Sequence, residues 1–142
     1  MVVMEAGLRH RLRRALQQIE AQHRHLKPIY RELVQVVAGR RSGSEREWFA
    51  KYADALTAHF DLEEEMVFPA VHGLDAGASR EIAMLSRDHS TLLARLKSFE
   101  PSLSGPEAGT LLEAFAATLC EHEEREEKLV GSLLQPAADR SG

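Results

Sequence analysis

Six side chains able to bind a metal recur at helical spacing in this chain: His59 with Glu63, His122 with Glu126, and the single histidines His23 and His89. On a 3.6-residue repeat, positions i and i+4 stack on one face, so each His-x-x-x-Glu pair presents an imidazole beside a carboxylate. Two such donors can hold one cation. A lone histidine on an apolar stripe is ordinarily a core residue with a hydrogen-bond partner, but four at one level beside two carboxylates are a different case. No lysine or arginine lies on the stripes at that level, and burying unpaired carboxylates is costly. One or two divalent cations would neutralise Glu63 and Glu126 and use the lone pairs of all four imidazoles. The candidate metal ligands are therefore His23, His59, Glu63, His89, His122 and Glu126.

The elements that must position them follow from apolar periodicity and from the clusters of glycine and proline that interrupt it. Leu12, Ala15, Ile19, Leu26, Tyr30, Leu33 and Val37 form the first stripe, with His23 in its gap and Pro28 inside the helix. The second stripe runs Tyr52, Leu56, His59, Glu63, Met66, Ala70, the third Ile82, Leu85, His89, Leu92, Leu96, Phe99, and the fourth Leu112, Phe115, Leu119, His122, Glu126, Leu129, Leu133. Ser44 with Glu47 and Ser104 with Glu107 have the spacing of capping boxes that would start the second and fourth helices. Four helices are expected over about 5–38, 45–71, 79–100 and 106–134, ended by Pro136 and a polar tail. The expectation is one all-α domain over 1–142, an antiparallel up-down-up-down four-helix bundle with its core over about 5–135.

In that topology the helix midpoints share a level, and the four stripe histidines fall within about two residues of them, roughly 3 Å of helix rise. All four imidazoles should converge on one layer, with Glu63 and Glu126 one turn further along. The chain also reads as a duplicated hairpin, with 36 residues from His23 to His59 and 33 from His89 to His122. That implies pseudo-twofold placement of the ligands. The carboxylates around them, Glu64, Glu65, Glu121, Glu123, Glu124 and Glu127, are expected mostly on the wet side, with Glu127 able to replace Glu126 were the helix rotated. His72 is read as a surface residue, Cys120 as small buried filler, and Trp48, Phe49, Phe68 and Phe115 as core.

Composition removes other functions. A formal charge of −4, with 18 Lys+Arg against 22 Asp+Glu, gives no basic field for nucleic acid, and the arginines of the first helix read as a solvated face. Apolar runs are too short for a membrane span, and Met1 to Arg14 turns basic before any signal-like stretch, so a cytoplasmic protein is expected. With Cys120 alone, neither an internal disulfide nor a thiolate zinc knuckle can form.

Ala21-Gln22-His23-Arg24-His25-Leu26, His59-Phe60-x-x-Glu63-Glu64 running into Phe68-Pro69, Asp88-His89 and His122-x-x-x-Glu126-Glu127 together resemble the hemerythrin-like, or HHE cation-binding, family over about residues 5–135. The resemblance implies a four-helix bundle around a non-haem di-iron centre of two iron ions, bridged by Glu63 and Glu126. Zinc and manganese also suit imidazole and carboxylate. Oxygen-carrying members have two histidines four apart on the third helix, whereas Leu85 and Leu93 flank His89 here. The set left is similar to the hemerythrin-like domains of iron-sensing and iron–sulfur repair proteins. Fewer than six donors per metal implies open positions for water, hydroxide, oxygen, peroxide or nitric oxide.

Three readings follow. The first is a di-iron protein that binds or senses a small oxygen or nitrogen species, or iron or redox state. The second is a peroxidase- or catalase-like enzyme, or an oxidase. The third is a metal-stabilised helical interaction module. Oligomeric state is left open.

Overall fold

Gly39 ends the first helix at a backbone position that favours glycine, φ +74°. Its N–H donates to the Val36 carbonyl at 3.1 Å and the Arg40 N–H to the Gln35 carbonyl at 2.9 Å, which satisfies two of the four carbonyls that a helix end otherwise leaves bare. The computed structural model describes residues 2–134, and all of its regular elements there are helical. They are α1 (Val2–Val37), α2 (Glu45–Leu62), α3 (Phe68–Leu74), α4 (Ser79–Ser98) and α5 (Ala108–Leu134), with short 3-10 turns at Ala76–Ala78 and Glu100–Ser102. The expected polar tail and its Pro136 stop lie outside the described residues. No helix among those described is long and apolar enough to cross a membrane.

Each expected helix is present, with instructive differences at the ends. Ser44 caps α2 as the Ser-x-x-Glu spacing implies, accepting from the Glu47 N–H at 3.2 Å. Ser104 does not cap α5. Its hydroxyl donates instead to Glu45 Oε2 at 3.0 Å, and α5 starts at Ala108 rather than 106. Helix α1 runs through Pro28 without interruption.

The second expected helix, 45–71, is where the structure departs most. Residues Glu63–Val67 form a π turn between α2 and α3, in which the Phe68 N–H bonds to the Glu63 carbonyl five residues back. Pro69 supplies the reason: it has no N–H for the Glu65 carbonyl, and its ring would collide with that carbonyl in a regular α-helix. Widening one turn accommodates both problems, at the cost of one extra residue in the register. Met66, expected on the inward stripe, is thereby turned out to 44% exposure, and Val67 and Phe68 face inward in its place. The backbone stays right-handed helical throughout, so α2 and α3 continue as one rod, and the fold is a helical bundle of four rods.

The core divides around the polar layer. One cluster gathers Leu33, Phe49, Tyr52, Leu56, Leu96, Phe99, Leu112 and Phe115; the other gathers Leu12, Ala15, Val67, Phe68, Val71, Leu85, Val130 and Leu133. Close approaches knit the rods at each end. Leu8 packs so tightly on Gly73 that a Cβ there would lie 2.9 Å from its Cδ1. Arg9 Nε donates to the Leu133 carbonyl at 3.3 Å, and the Tyr30 hydroxyl to the Leu112 carbonyl at 3.1 Å.

Candidate metal centre

Between the two apolar clusters lies a layer of buried polar residues, His59, Glu63, His89, His122 and Glu126, none more than 8% exposed. One donor atom from each of Glu63, His89, His122 and Glu126 lies within 4.8 Å of the others. Metal–ligand bonds of about 2.0–2.2 Å place two donors of one ion roughly 3–4.4 Å apart, so only slight inward movement separates this group from a coordination shell. His59 Nε2 lies 3.3 Å and His89 Nε2 3.5 Å from Glu63 Oε1. His89 Nε2 is 3.1 Å from Glu126 Oε1, which also touches His122 Nε2. The two carboxylates therefore reach the imidazoles directly instead of forming a separate layer.

The four imidazoles form two pairs. Ring centroids are 4.6 Å apart for His23 and His59 and 4.8 Å for His89 and His122. Phe60 stands between the pairs, stacked on His89 at 4.0 Å and 5.9 Å from both His59 and His122. This apolar ring keeps water from the backs of the donors.

What lies behind each imidazole decides which nitrogen is available. Asp88 Oδ2 stands 3.2 Å from His122 Nδ1, Glu64 Oε2 3.3 Å from His89 Nδ1, and Gln22 Oε1 3.1 Å from His59 Nδ1. Carboxylate oxygens only accept, so with a cation at the centre Nδ1 of His122 and His89 would carry the proton and Nε2 would offer its lone pair inward, whereas in the metal-free chain His89 Nε2 can also donate to Glu126 Oε1 at 3.1 Å. The acceptors are themselves held. Arg125 Nη2 donates to Asp88 Oδ2 at 2.6 Å, and the Ser86 hydroxyl donates to Glu64. This arrangement, in which an outer carboxylate orients a histidine for a cation, is typical of metal sites.

The inward atoms meet without satisfying one another. Nε2 of His23, His59 and His122 and Oε1 of Glu63 are shielded from water and lack a hydrogen-bond partner. Lone pairs therefore face carboxylate oxygens at contact distance, a repulsive arrangement unless positive charge lies between them. A divalent cation fits that donor set.

Electrostatics agree with the geometry. Burial, reinforced by His23, His89 and His122, pushes His59 down to about 3. Burial also lowers His122, although Asp88 works against it, and raises the Glu63 carboxyl above its ordinary value. Each group is thus pressed toward its uncharged form in the metal-free chain. A bound cation would reverse the pressure on Glu63.

The expected pseudo-twofold symmetry is incomplete. Glu63 contacts imidazoles of both pairs, but Glu126 meets only His89 and His122. His23 is half-buried, and its Nε2 lies 3.3 Å from Oε2 of Glu123, a residue expected on the wet face. Glu123 is partly sheltered, and burial raises its carboxyl, ahead of the opposing pull of His23. Glu126 faces in and Glu127 out. Cys120, expected as buried filler, is exposed because α5 turns it to the side opposite the His122–Glu126 contacts. His72 is exposed as expected, 3.1 Å from the Ser79 hydroxyl.

Sequence reasoning missed Gln22, Glu64, Asp88 and Glu123 as parts of the centre. Asp88 and Glu64 carried a signal, since each is next to a ligand candidate, but adjacency along a helix turns a residue about 100° away. Only the neighbouring helix reveals where it points: Glu64 serves His89 rather than His59, and Asp88 serves His122 rather than His89.

A family model described as the hemerythrin HHE cation-binding domain matches residues 14–134. Neither the curated proteins nor the solved structures searched contain a match.

Proposed function

We propose that this chain, which belongs to the hemerythrin HHE cation-binding domain family, is a non-haem di-iron protein that binds or senses a small oxygen or nitrogen species. The observation that carries the reading is the set of sheltered, partnerless inward atoms: Nε2 of His23, His59 and His122 and Oε1 of Glu63. Such atoms are costly in a folded protein unless something absent from the chain itself satisfies them. His23, His59, His89, His122, Glu63 and Glu126 would hold the metal, with Glu63 placed to bridge. When bound, the irons would supply open coordination positions and one-electron chemistry.

The chain's own residues do the remaining work. Asp88 and Glu64 hold the Nδ1 protons of His122 and His89 and so aim their Nε2 atoms inward. Phe60 and Phe68, lying parallel to the His89 ring, exclude water from behind the donors. An antiparallel up-down-up-down order of the four rods is supported by the way the start of α1 meets the ends of α3 and α5, through Leu8 with Gly73 and Arg9 with Leu133, while Tyr30 reaches Leu112 near the start of α5. A cytoplasmic setting suits an iron protein whose sole thiol is exposed.

Elemental analysis of the purified protein, followed by anaerobic reconstitution with ferrous iron and absorption spectra on adding oxygen, peroxide or nitric oxide, tests the reading. Two irons per chain and a spectral change with at least one of the three are expected. Protein that takes up no metal sinks it, and metal uptake with unchanged spectra for all three removes the small-ligand role.

A second reading, a peroxidase-like or oxidase enzyme, is favoured by one observation. A cavity of about 260 Å³ walled by Leu16, Ile19, Val67 and Val130 ends at Glu63 and Glu126, more room than a diatomic molecule needs. Peroxide consumption or substrate oxidation faster than that of an equal amount of free iron is the expected sign, and its absence rejects the enzyme.

A further inference from the structure

The two ends of the centre are built differently, and we infer that Glu123 completes an outer cation position with His23, His59 and Glu63, a position that fills last and empties first. The inference rests on the dinuclear metal reading above and assigns to it a donor outside the two His-x-x-x-Glu pairs.

Glu126 meets His89 and His122 through Oε1, on the inner side. Glu63 alone would then serve the His23–His59 pair, leaving two imidazoles with half a share of one carboxylate. Two dications against the two carboxylates Glu63 and Glu126 would leave a charge of about +2 in a sheltered layer, which is costly to bury. Glu123 removes one unit of that excess and stands where the inner carboxylate does not reach. Its Oε2 is 3.3 Å from His23 Nε2, as close as Glu63 Oε1 is to His59 Nε2. The two imidazoles adjoin, with centroids 4.6 Å apart. His23 on α1 and Glu123 on α5 thus make one close pair, His59 on α2 and Glu63 in the π turn another, and the adjoining imidazoles join the two.

A plain surface ion pair between His23 and Glu123 is the competing account, and such pairs are common and weak. Against it, His23 Nε2 is sheltered and makes no hydrogen bond despite the 3.3 Å approach. The buried neighbours His59 Nε2 and Glu63 Oε1, with side chains 1% and 3% exposed, are likewise partnerless. A cation between the two pairs would satisfy these partnerless atoms together.

The order of filling follows from shelter. On the inner side the side chains of His89, His122 and Glu126 are 1%, 1% and 11% exposed, whereas those of His23 and Glu123 are 28% and 29% exposed. Both residues border two cavities, one of about 260 Å³ that also reaches Glu126 and one of about 350 Å³ that does not. Water can replace the outer donors one at a time, and a chelator can follow. The inner ligands are also stiffer, because carboxylates stand behind His89 and His122 while a neutral amide, Gln22, stands behind His59.

The test is metal stoichiometry and release in the full chain loaded anaerobically with ferrous iron. The wild type is expected to hold two irons and to surrender them to a colorimetric ferrous chelator in two phases of equal amplitude, separated by roughly tenfold or more in rate. Glu123→Gln is expected to hold one iron and retain only the slow phase, while Glu127→Gln keeps both, with helical circular dichroism confirming the fold of each. Should the Gln variant misfold, Glu123→Asp, which shortens the reach by one methylene, is expected to accelerate the fast phase alone. A wild type that holds no iron overturns the underlying metal reading. A wild type with one iron, a single release phase, two firmly held irons in Glu123→Gln, or loss of both irons from it each overturns the outer position.

Discussion

His89 is stacked against Phe60 and Phe68, and both it and His122 are backed by carboxylates that are in turn held by Ser86 and Arg125, whereas His23 borders two cavities and His59 is backed by the neutral amide of Gln22. The imidazoles are chemically identical. The difference between the pairs teaches that a ligand's strength in a protein is set by what orients it and what keeps water away, more than by its identity. A sequence with two His-x-x-x-Glu pairs looks symmetric, and the centre folded from it has a closed side and an open one.

The largest effect expected comes from the ring between the two sides. Phe60→Ala and Phe115→Ala both empty a fully buried aromatic position, and each is expected to cost about 3–5 kcal/mol of stability. Of the two, Phe60 alone is in contact with the imidazoles, so its loss, unlike that of Phe115, should also weaken metal binding on the closed side. Denaturant unfolding of the metal-free variants beside metal titration of the folded ones separates the two contributions. Equal metal affinity in both variants would remove Phe60 from the account of the closed side.

Acid should next distinguish the neutral histidines from the carboxyls. His59 is held at about 3 in the folded chain against an ordinary 6.5, so between those values the unfolded chain takes up a proton that the folded chain refuses. Its contribution to stability is complete above pH 6.5 and is lost as pH falls, by about 1.4 kcal/mol per unit. Glu63 acts in the opposite sense. Its folded carboxyl is raised, so it takes a proton before the unfolded one does, and stability is gained as pH falls through that raised value toward 4.5. Urea midpoints of the metal-free protein are therefore expected to fall from pH 7 to pH 5, with His122, which burial also lowers, adding to His59 and Glu63 opposing both. His59→Gln should flatten the profile, and an unchanged slope in that variant would contradict the buried neutral imidazole.

How much of this was legible beforehand depends on whether a feature is carried by one helix or by two. Helical stripes, the Ser44 cap and the inward faces of His59, Glu63, His89, His122 and Glu126 follow from 3.6-residue periodicity, a property of each helix alone. The π turn is hidden because an uninterrupted 3.6-residue stripe over 45–71 takes no account of the N–H that Pro69 lacks, whereas the chain keeps its helical path by widening a turn, which reverses Met66. The roles of Gln22, Glu64, Asp88 and Glu123 were hidden because each depends on the rotation of one helix against another. Ser104 was mistaken for a cap because a hydroxyl near a helix start has two competing acceptors, and Glu45 on the neighbouring helix won.

A smaller effect compares the supports. Asp88→Asn replaces the carboxylate behind His122, and of the two cations proposed its loss is expected to weaken the one held by His89 and His122 by about 10- to 100-fold. Gln22→Ala removes only a neutral acceptor behind His59 and is expected to affect the other cation, by less. Competition titrations with a chelator of known affinity measure both. If Asp88→Asn weakens the two cations equally, the sides are not independently supported.

The smallest effect tests the register of α5, on which the closed side depends. At five residues from His122, Glu127 is the alternative to Glu126 that a turn of about 100° in the helix would bring inward, and the sequence places it in the same acidic run. In the fold Glu126 is 8% exposed and touches His122, while Glu127 faces out. Glu127→Gln should therefore leave metal content unchanged and stability within about 0.5 kcal/mol of the wild type, as exposed substitutions do. Glu126→Gln, one position away, should lower the affinity of the firmly held cation. Were the two variants to exchange these behaviours, α5 would be rotated in the metal-loaded protein, and Glu126 and Glu123 would both leave the centre with it.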